Sequence, residues 1–257
     1  MSRELRRLLI SPPRLNPNDI LTLNSSETHY LTRVLRYQIG QYFIVVDGVG
    51  RLWSAILASP NDAYIKQPLL QGISPAPQIN LALALPRKGF DSVLRITTEL
   101  GIDRIQPLIA ERCSSNQEER FQRWNTILEE ATEQCERLWL PLCGHPCDAQ
   151  RWIQNQRRHI NTNVDQKDVL KMFATTRQDN LISIDNLLHQ VSSYQVLPRQ
   201  IYFAVGPEGG WTLKEEQIAE ESGWHAVTLG PRILLTQTAA IAGTALIANW
   251  RITKNGF

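Results

Sequence analysis

The chain has 257 residues, of which 42% are hydrophobic and 20% charged, a composition typical of globular proteins with a substantial core. No apolar run approaches the ~18 residues that span a bilayer, and the N-terminal sequence lacks the apolar segment and cleavage site of a secretory signal, so we expect a cytoplasmic protein with no membrane partner. The net charge is only +2, but residues 1–70 carry eight Lys or Arg against five Asp or Glu. This basic region is typical of a surface that contacts phosphates, although a solvated charged face has the same composition.

The first 70 residues predict a small β-rich unit. DILTL at residues 19–23 is a predicted strand, and AYIKQ at residues 63–67 is another. QYFIVVDGVGRLWSAILA contains two strands around Asp47-Gly48, a dipeptide typical of hairpin turns. The segment SSETHYLTRVLR predicts a helix that a serine caps. Its apolar face comprises Tyr30, Leu31, Val34 and Leu35.

A linker is predicted at QGISPAPQ, residues 71–78, where Pro75 and Pro77 stiffen a segment without regular structure. We therefore place a domain boundary after residue 72, so that residues 1–72 and 73–257 form two domains.

Strands and helices alternate beyond the linker. The predicted strands are INLALALP, RIQPLIA, VLKMFAT, IYFAV and HAVTLG, and the predicted helices are FDSVLRITTELG, EERFQRWNTILEEATEQCERL, AQRWIQNQR, TLKEEQIAEESG and QTAAIAGTALIANWRI. Strands separated by helices pair in parallel, with helices on both faces, so the predicted fold class is α/β with an appended β-rich unit. The polar segment RRHINTNVDQKD, residues 157–168, predicts a surface loop.

Two of the four cysteines, Cys143 and Cys147, form a C-x3-C pair with a histidine between them. This spacing is within the range of zinc ligands, but no second close pair accompanies it, and Cys135 falls on the apolar face of a predicted helix. We therefore expect free thiols in a reducing compartment, Cys113 included, and no metal.

Two glycine turns follow predicted strands, at VGPEGG and at LGPRIL. Gly206 and Gly230 each precede a proline, which fixes φ and removes a donor, so two stiff turns at neighbouring strand ends predict a preshaped slot at the ligand-binding edge of the sheet. Neither turn has the spacing of phosphate or dinucleotide motifs. Glu208 would repel a phosphate and favour a ligand with positive charge or hydroxyl donors, yet two tight turns without a ligand fit the same spacing.

VGPEGGWTLKE, followed further along the chain by VTLGPRILLTQTAAIAGTAL, resembles the signature of the RsmE-type 16S ribosomal RNA uridine N3-methyltransferases, knotted enzymes of the SPOUT class that use S-adenosylmethionine. THYLTRVLRYQIGQYFIVVDG resembles their N-terminal RNA-binding, PUA-like barrel, while LALPRKGFDSVLRITTELGIDRIQPL and RWNTILEEATEQCERLWLP resemble their middle. The resemblance implies a trefoil-knotted α/β methyltransferase domain at residues 73–257, a PUA-like β-barrel at residues 1–72, and a homodimer that acts on 16S RNA of the small ribosomal subunit.

The resemblance also implies that three loops, at residues 173–175, 206–210 and 229–234, enclose the cofactor, with two residues of the following helix behind them. The implied cofactor-binding residues are Phe173, Ala174, Thr175, Val205, Gly206, Pro207, Glu208, Gly209, Gly210, Leu229, Gly230, Ile233, Leu234, Thr238 and Ala239.

Methyl transfer to N3 of uridine requires that the protein align the substrate and stabilise negative charge on the uracil carbonyl oxygens. Arg232 is the catalytic residue predicted for that charge, and a surface arginine on a loop is the alternative interpretation. Glu208, the second predicted catalytic residue, either accepts a hydrogen bond from cofactor or substrate or caps the following helix.

The implied RNA-binding residues are all basic. They are Arg7, His29, Arg33, Arg36, Lys88 and Arg137. Tyr30 and Tyr37 lie among the N-terminal members, a mixture typical of RNA surfaces, but we expect Tyr30 to belong to the core. For Arg137, a favourable position at a helix end is the ordinary alternative.

The chain departs from the family pattern at two positions. Where the family reads Leu-Arg-x-Glu-Thr-Ala, this chain has Leu235 and Gln237 in place of the arginine and the glutamate, so both charges of a possible ion pair are absent. Two alternative functions follow: an RNA-binding ribosome-assembly factor that has lost catalysis, and a SPOUT methyltransferase that acts on another RNA such as transfer RNA.

Overall fold

The structure is a computed structural model that describes residues 7–113, 120–156, 168–176, 178, 180–194 and 196–255. The chain divides into two compact units, of which the first comprises residues 1–74 and 128–140 and the second residues 75–127 and 141–257. The predicted loop at residues 157–168 lies outside the described residues except for Asp168. Within the described ranges, no helix is long and apolar enough to cross a membrane.

The first unit is built on a five-stranded sheet in the order β1-β3-β4-β5-β2. Its elements are β1 (Arg7–Leu9), β2 (Ile20–Thr22), α1 (Ser25–His29), β3 (Tyr42–Val46), β4 (Arg51–Ser59) and β5 (Asp62–Gln71). β3 and β4 form the predicted hairpin, and β5 continues it antiparallel to β4. Alternating side chains of β3 and β4, such as Phe43, Val45 and Ala55, are fully buried, because successive residues of a strand point to opposite faces.

The helix of the first unit begins differently from the prediction. Its N-cap is Asn24, whose side chain accepts from the N–H of Glu27 while the Glu27 carboxylate accepts from the N–H of Asn24, so the predicted serine cap is wrong. From Tyr30 to Val34 the chain winds as a π-helical turn. This wider turn rotates the predicted apolar face, and Val34 is 56% exposed although Leu31 is fully buried.

Residues 128–140 belong to the first unit although they lie far along the chain. Gly50 N–H donates to the Leu138 carbonyl at 3.0 Å, and Leu140 N–H donates to the Gly48 carbonyl at 2.9 Å. Leu9 N–H donates to Glu133 Oε1 at 2.7 Å. These long-range bonds group the segment with the strands of the first unit, which a boundary drawn from local composition does not detect.

The second unit contains an eight-stranded sheet in the order β11-β13-β10-β12-β6-β7-β8, with β9 also paired to β7. Its elements are β6 (Gln78–Ala84), α2 (Phe90–Leu100), β7 (Arg104–Ile109), α3 (Phe121–Gln134), β8 (Leu142–Cys143), β9 (Cys147–Asp148), α4 (Ala149–Asn155), β10 (Val169–Ala174), β11 (Ile182–Ser183), α5 (Ile184–Val191), β12 (Gln200–Val205), α6 (Leu213–Glu221), β13 (His225–Thr228) and α7 (Thr236–Asn255). The second half of α3 belongs to the residues grouped with the first unit.

Every strand pair of this sheet is parallel, as the alternation of strands and helices predicts. The carboxyl ends of β10, β12 and β13 therefore meet at one edge. β10 lies between β12 and β13, so the prediction that the two glycine turns follow neighbouring strands is wrong. The end of β10 lies between them and supplies a third wall.

Candidate functional site

A pocket that opens to solvent lies at this edge of the second unit. It is formed by the residues that follow β10, β12 and β13 and by the first turn of α7. The lining residues are Ala174, Thr175, Thr176, Val205, Gly206, Pro207, Glu208, Gly210, Trp211, Glu216, Leu229, Arg232, Ile233, Leu234, Thr236 and Ala239.

Most of the residues predicted for a cofactor line this pocket, and both predicted catalytic residues do so as well. Four predicted residues do not line it: Phe173, Gly209, Gly230 and Thr238. Four lining residues were missed: Thr176, Trp211, Glu216 and Thr236. Three of these four directly extend a predicted loop or begin the following helix, so a wider window around each turn would have included them.

The first glycine turn is fixed by Trp211. A Cβ on Gly206 would lie 2.9 Å from Trp211 Nε1 and 3.0 Å from its Cε2, so only glycine allows this approach. The indole stacks on Phe173 at 4.6 Å between ring centroids, and its Nε1 donates to the Ala174 carbonyl at 3.1 Å. Phe173 is 2% exposed and therefore supports the pocket from below without lining it.

Two further side chains hold the carbonyls of the same turn. Arg112 donates to the carbonyls of Gly209 and Trp211 at 3.0 and 3.1 Å, and Thr236 Oγ1 donates to the Gly206 carbonyl at 3.0 Å. Gly210, with φ of 70°, closes the turn by donating its N–H to the Pro207 carbonyl at 2.8 Å. The turn is thus held at four points, and its backbone geometry is set before any ligand binds.

Two carboxylates face the pocket. Glu216 is 8% exposed and accepts a hydrogen bond from Thr175 Oγ1 at 2.6 Å. Glu208 is exposed and accepts from the N–H of Arg87 at 2.8 Å. The N-cap of α6 is Thr212, which forms a capping box with Glu215, so the interpretation of Glu208 as a helix cap is wrong.

The second glycine turn is open. Gly230 has φ of 124°, and its N–H and carbonyl both bond to Thr228 Oγ1. Ile233 is 88% exposed, and Arg232 is exposed and forms no hydrogen bond or ion pair with any described residue. The guanidinium on this turn therefore has its full charge available for an anionic partner.

Among the described lining residues, Glu208, Glu216 and Arg232 carry the charges, while Val205, Leu229 and their neighbours are apolar. Such a pocket suits a ligand with a flat apolar part and a positive charge, because carboxylates attract a cation and apolar walls bury a ring.

The predicted RNA-binding residues of the first unit fall into two groups. Arg7 is 18% exposed at its side chain and is ion-paired with Glu136 at 2.9 Å, so its charge is compensated. His29, Arg33 and Arg36 are exposed on α1 and the turn after it, and their side chains have no partner among the described residues.

The remaining predictions concern two tyrosines, Tyr30 and Tyr37, and two basic residues, Arg137 and Lys88. Tyr30 packs against the barrel core as expected, and Tyr37 is only 9% exposed, so neither presents an open ring to a base. Arg137 is half-buried beyond the end of α3, whereas Lys88 is exposed in the loop between β6 and α2.

The four cysteines are free thiols. Burial raises the pKa of Cys113 and Cys147, and it raises the pKa of Cys143 to about 12, so these thiols stay protonated at neutral pH. Among the described residues, no three His, Cys, Asp or Glu side chains are grouped so as to hold a metal ion.

Comparisons with known proteins place this geometry in a family. A family model described as an RNA methyltransferase domain matches residues 74–248, and one described as an RNA methyltransferase PUA domain matches residues 23–66. The ribosomal RNA small subunit methyltransferase E of Synechocystis sp. is 36% identical over 249 residues, which are 94% of this chain and 76% of that protein. The chain belongs to the ribosomal RNA small subunit methyltransferase E family.

Solved structures similar to this family member share its architecture. The methyltransferase E of Neisseria gonorrhoeae, solved with S-adenosyl methionine bound, superposes with a TM-score of 0.77 at 26% identity and covers 96% of this chain and 98% of that one. A putative methyltransferase of Legionella pneumophila has a TM-score of 0.78 at 24% identity over 95% of this chain and 97% of that one. This second similarity concerns the fold. The predicted fold class, a knotted SPOUT α/β domain with an N-terminal PUA-like barrel, is confirmed.

Proposed function

We propose that this protein transfers the methyl group of S-adenosylmethionine to N3 of a uridine in 16S ribosomal RNA. The observation that carries the proposal is the pocket at the carboxyl ends of β10, β12 and β13, which lies within the residues matched by the methyltransferase model. Membership of the methyltransferase E family supports the substrate, and a relative solved with S-adenosyl methionine supports the cofactor.

The residues of the pocket fit this cofactor. Apolar side chains such as Val205 and Leu229 suit an adenine ring, and the carboxylates of Glu208 and Glu216 suit a cation. When bound, S-adenosylmethionine supplies an electrophilic methyl group on a positively charged sulfur. We propose that the three predicted loops hold it, with Phe173, Gly209, Gly230 and Thr238 acting from behind the lining residues.

We propose catalytic roles for Arg232 and Glu208. When N3 of uridine loses its proton, negative charge develops on the uracil carbonyl oxygens, and the unpaired guanidinium of Arg232 stabilises that charge. Glu208 accepts a hydrogen bond from cofactor or substrate with the carboxylate oxygen that Arg87 leaves free. The proton passes to water or to a carboxylate at the pocket mouth.

We propose a division of labour in which residues 1–72 form the PUA-like RNA-binding domain and residues 73–257 the methyltransferase domain. His29, Arg33 and Arg36, whose side chains have no partner among the described residues, are the strongest candidates for RNA contacts. Arg7 and Arg137 contribute less, because Arg7 is ion-paired and Arg137 is half-buried. The small ribosomal subunit as substrate implies that the protein acts in the cytoplasm.

A homodimer is also part of the proposal. Ile233 and Leu235, beside the pocket, are 88% and 67% exposed, and Leu246 of α7 is 41% exposed. Exposed apolar side chains of this size are favourable when another surface covers them, and a second copy of the chain is the proposed cover. Light scattering of the purified protein tests this point, since a monomeric mass at micromolar concentration contradicts it.

The function is tested by methyl incorporation and by mapping. Purified protein with labelled S-adenosylmethionine is given 16S RNA, assembled small subunits or transfer RNA, and label is expected in one of the first two. Deletion of the gene should remove a reverse-transcription stop from the small-subunit RNA, because N3-methyluridine blocks base pairing. RNA binding without label in any substrate identifies an assembly factor, and label in transfer RNA alone identifies a different methyltransferase.

A further inference from the structure

Two side chains connect the pocket to the loop between β6 and α2. Glu208 lines the pocket and accepts the backbone N–H of Arg87 at 2.8 Å. Gln237 follows the lining residue Thr236, and its Nε2 donates to the backbone carbonyl of Lys88. The backbone of Arg87 and Lys88 is therefore held at the rim of the pocket by one side chain each.

The side chains of this loop carry uncompensated charge. Arg87 and Lys88 are exposed, and neither side chain forms a hydrogen bond or an ion pair with any residue in the described ranges. By contrast, Arg123, which lies close to the start of α2, is neutralised by Asp91 at 2.7 Å. Two adjacent positive charges thus remain free at the rim while a neighbouring cation is paired.

We propose that Arg87 and Lys88 form a phosphate-binding rim, which holds the backbone of single-stranded RNA beside the target uridine, and that Glu208 and Gln237 position it. This inference rests on the proposed function. Phosphate contacts fix the register of a nucleic acid without reading its bases, so the rim determines which nucleotide reaches the pocket. The rim belongs to the second unit, whereas His29, Arg33 and Arg36 belong to the first.

The amide of Gln237 is matched to its acceptor. Its Nε2 faces the Lys88 carbonyl, and its Oε1 is buried without a hydrogen-bond partner in the described part of the chain. Gly89, with φ of 81°, permits the approach, since a Cβ there would lie 3.2 Å from Gln237 Nε2. A glutamate at this position would have no donor for this carbonyl at neutral pH and would repel it. The donor of the Gln237 amide is therefore what holds the Lys88 carbonyl.

The rim is tested by removing one charge at a time. Arg87→Ala and Lys88→Ala are compared with Lys254→Ala, which removes an exposed lysine about 27 Å along α7 from Thr236. For each rim variant, the dependence of log K for a single-stranded 16S fragment on log salt should flatten by about 0.7, and the RNA KM should rise roughly fivefold with the cofactor Kd unchanged. The Lys254 variant should match the wild type.

The positioning role is tested by a double-mutant cycle. Gln237→Met removes the donor without adding charge, and it should raise the RNA KM with little change in kcat. In the Lys88→Ala background the same change should have no further effect on KM or on the salt slope. A purely structural role predicts instead a lower Tm and an equal effect in both backgrounds, and that result overturns the assignment of Gln237.

A wrong function and a wrong phosphate-binding rim would give different results. If the wild type methylates no RNA, the proposed function is wrong, and direct RNA-binding titrations still measure the salt slope of the rim variants. If the wild type methylates RNA while Arg87→Ala and Lys88→Ala behave like Lys254→Ala, the phosphate-binding rim is wrong and the function stands.

Discussion

The two glycine turns have the same Gly-Pro start and both follow a strand, yet their surroundings are opposite. A Cβ on Gly206 would overlap the Trp211 ring, whereas a Cβ on Gly230 would meet nothing within 4 Å. The first turn is held by Trp211, Arg112 and Thr236, while the second presents the exposed Arg232. The same Gly-Pro start therefore serves two purposes: one turn is a rigid wall, and the other carries a side chain toward solvent and an incoming substrate.

Gly206→Ala tests the rigid wall and should have the largest effect on stability and on cofactor binding. The added methyl forces the buried indole of Trp211 away from Gly206, and the indole is bonded to Ala174 on the opposite wall. We expect the free energy of unfolding to fall by about 1–3 kcal/mol and the cofactor Kd to rise more than tenfold. Chemical denaturation and calorimetric titration with S-adenosylmethionine measure these two quantities.

The matched control for that variant alters the obstacle and leaves the turn unchanged. In a Trp211→Phe background the nearest ring atoms are removed. Gly206→Ala should therefore lower the free energy of unfolding by less there than in the wild type. An equal loss of unfolding free energy in both backgrounds would show that the indole is not what restricts position 206.

Arg232→Ala tests the open turn and should slow catalysis without weakening the binding of the cofactor. Loss of one group that stabilises a developing oxyanion typically lowers kcat by about 10²–10³, and Arg232 has no structural partner among the described residues to lose. Arg232→Lys keeps the charge and should retain part of the rate. Single-turnover methyl transfer and the cofactor Kd are the measurements. A higher cofactor Kd with an unchanged rate of methyl transfer would show that Arg232 forms part of the cofactor-binding wall instead.

The sequence predicts the elements of this fold better than their long-range contacts. The alternation of strands and helices in the second unit is confirmed, and α5 was missed although Ile184, Leu187, Leu188 and Val191 are buried at helical spacing behind a Ser183 cap. Short strands such as β11 depend on pairing with β13 and carry little local pattern.

At the candidate site, too, the sequence predicts local features but not long-range contacts. The glycine turns and the lining residues next to them follow from motif and resemblance. Arg112 was missed because it reaches Gly209 across 97 positions, and the bond between Arg87 and Glu208 spans 121 positions. Such contacts arise from how parallel strands are ordered, and β10 between β12 and β13 is a feature of the order that no local spacing encodes.

Arg112→Ala should also loosen the first turn, but it should raise the cofactor Kd less than Gly206→Ala does. It removes two charge-assisted hydrogen bonds to the carbonyls of Gly209 and Trp211, while Trp211 and Thr236 still hold the turn. We expect the cofactor Kd to rise roughly threefold to tenfold with kcat little changed. Arg151→Ala, an exposed arginine of the same unit whose side chain has no partner in the described ranges, is the control and should leave the Kd unchanged.

Gly230→Ala should have the smallest effect, and it decides whether the comparison between the turns holds. The φ of 124° is unfavourable for alanine, which costs about 1–3 kcal/mol if the backbone cannot adjust, but nothing surrounds this glycine and the turn can relax. Relaxation would shift Arg232 more than it shifts the walls, so kcat should fall severalfold while the cofactor Kd stays within twofold of wild type. If Gly230→Ala instead impairs cofactor binding as strongly as Gly206→Ala, the second turn is also a rigid wall, and the orientation of Arg232 is then part of the cofactor site.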